Sequence, residues 1–474
     1  MNRTGTMLAG LLGLTVPLQA VSYTPEEMDE RFSALQRQIA ASQPRISFNG
    51  FLSFVGATHS EREGTYDKRT VDGRPSFESL SRFGLQMEYR ITDDTRVVAQ
   101  LLSKGWDGWR TNAEWAFVAH DLTSDLTVRA GRLRLPVYMN SEFIDAGFAY
   151  PWVTPPTELY TLIPFTSYEG LDFKYNFDAL NGFWTFQPYA GFVRLTPGEE
   201  RVGTARGDDL HGFDLTANWG NFTARAGYMG VRVTVDDFPL TNVALGINQS
   251  IRDGIATTAA NQAADAALIL ADCGPGGAAD FVTCSAVKQG TFDAVYGATL
   301  AQLAIDLPDP DLSWRNTRTR FYTVGLSYDD GRWLGITEFG KSTQNGWLPD
   351  TTSCYGTVGY RIGRFLPHLT YSHVRIDDPD KRSFDNVSWT APPPAPPLPI
   401  PNPAGSFIEA VYQIDQESWT AGVRYDHRRG LALKADVQRV GGFAGNGSGF
   451  FTPPTGGDTP DHLWIYRVSL DVMF

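Results

Sequence analysis

From Arg45 to its last residue the chain is a succession of segments in which apolar and polar residues alternate. In the final one, Trp464, Tyr466, Val468, Leu470, Val472 and Phe474 share one parity, while Arg467, Ser469 and Asp471 share the other. Side chains of a strand project to opposite faces at period two, so the segment predicts a strand with one apolar face and one polar face. Phe83, Leu85, Met87, Tyr89 and Ile91 oppose Arg82, Gln86, Glu88 and Arg90 in the same way; Ala113, Trp115 and Phe117 oppose Asn112 and Glu114. So do Leu171, Phe173, Tyr175 and Phe177 against Asp172, Lys174 and Asn176, and Trp419, Ala421, Val423 and Tyr425 against Thr420, Arg424 and Asp426. Sixteen strands are predicted, at 45–58, 77–91, 95–103, 112–121, 125–132, 168–178, 182–195, 209–219, 221–235, 315–328, 332–341, 353–361, 364–376, 417–427, 430–441 and 463–474. A half-buried strand of a soluble sandwich alternates in the same way.

The connections separate the two architectures. ITDD, HDLTSD, FDALNG, WGN, YDDGR, RIGR and DHRRG are tight turns, and they alternate with longer loops that run up to the stretch 236–314. Short turns on one rim and long loops on the other are the asymmetry of a transmembrane barrel. A bilayer admits a sheet only if it closes, because an open edge would leave backbone N–H and C=O groups unpaired in hydrocarbon. Past the N-terminus no apolar run reaches the roughly 20 residues of a spanning helix. The fold class expected is therefore all-β: a transmembrane antiparallel β-barrel of about sixteen strands over residues 44–474, in which Phe474 ends a strand that pairs back onto the first.

Ahead of the barrel two further segments are expected. Residues 1–22 place Arg3 before a short apolar stretch and small residues at Ala20 and Ser22, the layout of a secretory signal peptide. In 23–43, Met28, Phe32, Leu35 and Ile39 fall on one helical stripe, Thr24, Pro25 and Glu27 form a capping start, and Pro44 a stop. This short periplasmic helix would be marginal alone; it is either a coiled coil between copies or a helix at the barrel mouth or without order.

Charge sharpens the picture. The net charge is −13, and the segments 236–313 and 377–417 hold all of the acidic excess, as exposed loops would. Nucleic acid is not expected as a partner. Cysteines occur only at Cys273, Cys284 and Cys354, without CxxC spacing, so no metal or other cofactor is expected; Cys273 and Cys284 could form a loop disulfide in an oxidising compartment. Inward parity collects Arg82, Arg96, Arg129, Lys174, Arg225, Arg424, Lys434 and Arg467 as candidate pore-lining cations, facing acids that include Glu88, Glu114, Asp172, Asp214, Asp426 and Asp436. Rings of guanidinium groups favour anions, unless wall acids pair with them and neutralise the effect.

The signal, the sixteen strands and the terminal YRVSLDVMF together resemble the Gram-negative outer-membrane porins. The resemblance implies location in the outer membrane, contact with its lipid, and a water-filled channel for small hydrophilic solutes. It also implies a homotrimer, and recognition by the barrel-assembly machinery through Tyr466, Val468, Leu470, Val472 and Phe474. The third long connection, 133–168, is rich in aromatics and prolines and carries Glu142, Asp145 and Glu158; by resemblance it is the loop that folds inward as a constriction. Mild anion preference is expected, with a substrate-specific channel for small carboxylates or phosphate as the alternative. No lysine cluster marks the phosphate-selective members. An enzymatic barrel would need a nucleophile and base at the rim, and none of the seven histidines stands in such a motif; the chain is read as a non-enzyme. A surface adhesin or receptor, presenting the proline-rich 391–403, is the remaining class.

Overall fold

A computed structural model describes residues 45–67, 71–163, 165–195, 204–236, 314–345, 350–377, 414–443, 449–453 and 459–474. The expected signal peptide, the helix of 23–43, Cys273 and Cys284, and nearly all of the connections 236–314 and 377–416 lie outside the described residues. Among the described residues sixteen strands form one closed antiparallel barrel. They are β1 (Ile46–His59), β2 (Arg82–Arg90), β3 (Thr95–Lys104), β4 (Thr111–Asp121), β5 (Leu126–Arg134), β6 (Ser167–Ala179), β7 (Gly182–Leu195) and β8 (Thr204–Trp219). The second half is β9 (Phe222–Asp236), β10 (Trp314–Asp329), β11 (Trp333–Gln344), β12 (Thr351–Tyr360), β13 (Phe365–Ile376), β14 (Gln416–Arg428), β15 (Leu431–Gly441) and β16 (Leu463–Met473).

Each strand pairs with its chain neighbours, and β16 returns to β1 with Phe51 opposite Met473 and His59 opposite Ile465. Phe474 completes the seam: its N–H donates to the Gly50 carbonyl at 2.9 Å, and the Gly50 N–H donates back at 2.7 Å. A side chain at Gly50 would collide with the Phe474 ring, so the glycine makes room for the terminal aromatic. Every short turn of the sequence joins two consecutive strands at one rim, and the strand ends that flank the longer connections lie at the other.

Phe54, Leu101, Leu171, Val324, Val358, Leu369, Trp419 and Val468 are exposed on the outside of the wall. A continuous apolar surface of this size is foreign to a monomer in water, but it suits a belt in hydrocarbon. Near the short turns Phe222 lies 6.1 Å from Trp219 and 4.8 Å from Tyr328, and Trp333 lies 4.7 Å from Tyr360, as in an interfacial aromatic girdle. Tyr466, Val468, Leu470 and Val472 occupy this outer face of β16, each opposite in parity to the buried Arg467, Ser469 and Asp471. Above the other rim, Thr65–Tyr66, Val71–Asp72 and Phe451–Thr452 form a small sheet, and Tyr66, Val71, Phe450 and Phe451 pack onto Val374, Val440, Leu463 and Ile465.

Two expectations from parity fail. The pairing of β3 with β4 slips between Gln100 and Leu101, and one extra residue reverses the faces beyond it. Phe117 is consequently buried inside and Val118 is exposed outside, with Trp115 packed against the interior cluster. Arg82, expected near the middle of a strand, is instead the first residue of β2.

Removing Phe474 deletes both seam hydrogen bonds and the ring that fills the space beside Gly50. The expected outcome is a large loss of heat-modifiable, folded barrel from membranes, read by gel mobility with and without boiling. A truncation that folds at the normal level would contradict this role.

Candidate functional site

The connection between β5 and β6, residues 135–166, folds back into the barrel. Pro151, Pro155 and Pro156 restrict the backbone of its far arm, since proline fixes φ and offers no N–H; single helical turns occur at Ser141–Phe143, Gly147–Ala149 and Thr157–Tyr160. Its apolar residues supply the interior core. Leu135, Val137, Tyr138, Tyr150, Trp152, Leu159, Tyr160, Ile163 and Phe165 are buried with the wall residues Leu133, Tyr168, Tyr189, Met229, Phe321 and Tyr355. Wall and loop each make room for the other: a side chain at Gly340 of the wall would strike Leu159, and one at Gly147 of the loop would strike Asp471 and Ser53.

Polar contacts hold the loop on all sides. The Trp152 indole N–H donates to Thr370 at 2.9 Å and to Thr357 at 3.2 Å. Glu158, fully buried, accepts from Gln416 at 2.7 Å and from the Ser372 hydroxyl at 2.8 Å. Glu338 of β11 accepts the Met139 N–H at 2.8 Å and the Tyr160 hydroxyl at 2.9 Å. Neither carboxyl group forms a salt bridge with a cation among the described residues; neutral donors satisfy them, as burial of a polar group requires.

The eight candidate cations face inward, but none is a bare charge. Arg129 donates in a fork to Asp172 at 2.8 and 2.5 Å, and Arg467 donates to Asp436 at 2.7 Å. Arg96 pairs with Asp121 at 2.8 Å near the short-turn rim, and Arg225 pairs with Asp214 while donating to the Met139 carbonyl at 3.2 Å. Arg424 bonds Asp426 at 2.9 Å and the loop carbonyls of Phe148 and Tyr150 at 2.6 and 3.0 Å. Lys434 lies 3.2 Å from Asp471 and reaches the carbonyls of Gly147 and Trp152. Lys174 binds Glu142 of the loop at 2.8 Å. Arg82 differs from the rest: it donates to the neutral hydroxyl of Tyr150, with Asp145 close enough to feel its charge.

The three loop acids thus have separate partners. Asp145 sits between Lys104, at 3.4 Å, and Arg134, which also holds Glu114. Burial alone would raise the Asp145 pKa, but Lys104, Arg134 and Arg82 hold it below the usual carboxylate range. Glu142 is likewise opposed by desolvation and pulled down, by Lys174 first and then Arg225 and Arg129, to about 2. Glu158 is not near either; it anchors the opposite arm. Lys104, Arg134, Glu338 and the tyrosines 150 and 160 were not singled out from the sequence. Lys104 has inward parity at the end of β3, but SKGWDGWR reads as loop; the tyrosines acquire roles only when the loop is inside.

One side of the loop stands off the wall. A cavity of about 200 Å³ is lined by Arg82, Lys104, Trp106 and Arg467 on the wall side, by Tyr66, Asp67 and Val71 above, and by Asp145, Thr154, Thr157, Tyr160 and Thr161 of the loop. Its charged lining is three cations against two carboxylates.

A closed sixteen-strand antiparallel barrel with an outward apolar belt and an in-folded third loop is the architecture of a transmembrane β-barrel protein. Among the described residues no helix is long and apolar enough to cross a membrane. No known family profile matches the chain, and no curated protein does. Solved structures similar to it include the anion-selective porin from Comamonas acidovorans, at 13% identity over 90% of this chain and 99% of that one, with a TM-score of 0.47. Others are OmpF of Salmonella typhi in complex with daunomycin, at 9% identity over 90% and 97% with a TM-score of 0.47, and the trimer form of OmpT of Vibrio cholerae, at 11% over 90% and 99% with a TM-score of 0.47.

The depressed pKa of Glu142 has a sign. Its contribution to loop stability is complete above the ordinary carboxylate pKa and is lost only as pH falls through about 2. Single-channel noise in wild type should therefore be flat from about pH 8 to about pH 4, and Glu142→Gln should raise it throughout by releasing Lys174. A rise in wild-type noise between about pH 6 and 4 that Glu142→Gln abolishes would contradict this.

Proposed function

We propose that the protein is a porin, a passive channel for small hydrophilic solutes, in which the cavity between the third loop and the β2, β3 and β16 wall is part of the path. The proposal includes the reading of a non-enzyme, which is supported by interior acids and bases that serve to hold the loop. The long loops would face the cell exterior and the short turns the periplasm.

Mild anion preference is the finer part of the proposal, and one observation supports it. Arg82 lines the cavity and donates to the Tyr150 hydroxyl, with no salt bridge to a carboxylate among the described residues; Asp145 offsets part of its charge, and the rest of its field reaches a passing solute. The other wall arginines are tied to acids and contribute mainly to packing. A channel selective for small carboxylates is the alternative that the same guanidinium would serve. A homotrimer is also proposed: one similar structure is described as a trimer form, and the small outward residues Gly56, Ala421 and Ala435 of β1, β14 and β15 border an apolar groove beside Phe77 where a second copy could approach closely.

Reversal potentials of single channels in asymmetric salt test the selectivity. Arg82→Gln should move the channel toward cations at low salt, the shift fading as the Debye length falls to about 10 Å near 0.1 M, with barrel stability little changed. Arg467→Gln should instead destabilise the barrel by about 3–5 kcal/mol, because it leaves Asp436 buried without its partner. Unchanged selectivity in Arg82→Gln would overturn the anion preference.

A further inference from the structure

One side chain joins three loops that are far apart in sequence. Gln416, the first residue of β14 and only 1% exposed, stands where the third loop meets the small sheet above the rim. Its amide oxygen accepts the Phe450 N–H at 2.9 Å, and its amide nitrogen donates to the Tyr66 hydroxyl at 2.9 Å and to Glu158 at 2.7 Å. A glutamine amide offers two N–H donors and one carbonyl, so every polar group of the side chain is committed, each to a different loop. Tyr66 belongs to the connection between β1 and β2, Phe450 to that between β15 and β16, and Glu158 to the third loop.

The chain is shaped for this junction. Gly449 has a φ of 58°, and a side chain there would strike the Gln416 amide oxygen, so glycine is what lets the next N–H reach it. The Phe450 carbonyl accepts the Asp67 N–H at 2.9 Å, and Phe451 pairs with Tyr66 across the small sheet, which joins the described parts of the two outer loops. On the other side of the amide, Glu158 accepts the Ser372 hydroxyl at 2.8 Å, and Ser353 donates to the Glu158 carbonyl at 2.8 Å. Leu162 of the same loop packs against the interior core and against the cluster under the small sheet alike. Apolar contact and hydrogen bonding thus coincide along one seam.

That seam borders the cavity. Tyr66, Asp67 and Val71 form its roof, and Thr157, Tyr160 and Thr161, on either side of Glu158, form its loop-side wall. The roof belongs to a sheet separate from the barrel, so it can lift without breaking the barrel ladder. The tie through Gln416 is what holds it on the third loop.

We propose that Gln416 is a positioning residue that locks the outer sheet to the far arm of the third loop and thereby sets how widely the cavity opens toward the long-loop rim. The inference deepens the proposed path and rests on that reading for its use; the lock itself is read without passing current. The test uses the full-length protein with Cys273, Cys284 and Cys354 replaced by serine and Thr161→Cys added, and follows by mass spectrometry the rates of modification by a small and a bulky thiol reagent of equal charge. Gln416→Glu removes both amide donors and sets a second carboxylate against Glu158, where like charges repel. The bulky reagent should then react at least about tenfold faster, while the small one changes little. Adding Glu158→Gln returns one amide and one carboxylate to the seam, with the Phe450 N–H and the Tyr66 hydroxyl donating to the carboxylate, and should restore the original rate. Thr357→Cys, beneath Trp152 on the other side of the loop, should stay unreactive in every variant, which separates a lifted roof from a loosened barrel. An unchanged bulky-reagent rate in Gln416→Glu, no rescue by Glu158→Gln, or equal exposure of Thr357→Cys would each overturn the proposal. Should Gln416→Glu not fold, Tyr66→Phe decides, because it keeps the ring and removes one bond to the lock: a rise of about threefold at Thr161→Cys supports the proposal, and no rise overturns it. Rates in the expected order, together with a current that ignores modification at Thr161→Cys, would strike the path and leave the lock standing.

Discussion

Closure of the backbone hydrogen-bond ladder is the constraint from which the rest follows. In hydrocarbon no water can satisfy a strand edge, so β16 must find β1, and the last residue must take part. The seam from Phe51 opposite Met473 to His59 opposite Ile465, finished by the reciprocal Gly50 and Phe474 bonds, meets that demand. Period-two side chains then sort themselves: apolar residues to lipid, polar residues to the inside.

Sixteen strands enclose more space than wall side chains can fill. The third loop fills it, and it does so as a second core, with Trp152, Tyr150 and Leu159 buried as deeply as residues of a soluble domain. Its seat is unlike a soluble core in one respect. The wall is polar, so the loop is fixed by donors and acceptors: Thr357 and Thr370 to the Trp152 indole, Ser372 and Gln416 to Glu158, and Lys434 and Arg424 to loop carbonyls. Buried charges that lost a partner would be costly, which pins the loop to one position. Where the loop stands off, at Arg82 and Lys104, the remaining space is the proposed path.

The barrel was legible in the sequence because its two signals are local: alternation sets the faces of each strand, and turn length sets the rims. Phe117 shows where that reading stops. A single bulge opposite Gln100 and Leu101 reverses its face, and no periodic pattern announces a bulge. The inward cations and the acids able to neutralise them were visible by parity, but the particular pairs were not, since Arg129 meets Asp172 and Arg467 meets Asp436 only through the register of neighbouring strands. Least visible were the contacts of Tyr150 with Arg82 and of Tyr160 with Glu338, which depend on a long loop returning across the barrel.

The central claim is that solutes pass on the Arg82 side of the third loop and not behind it. It is tested most directly by introducing single cysteines in a background with Cys273, Cys284 and Cys354 replaced by serine, and adding a charged thiol reagent under a planar bilayer. Thr161 lines the cavity, whereas Thr357 is buried beneath Trp152. Modification should cut single-channel current in Thr161→Cys and leave Thr357→Cys unchanged. Block at Thr357→Cys with none at Thr161→Cys would place the path on the other side of the loop and contradict the account.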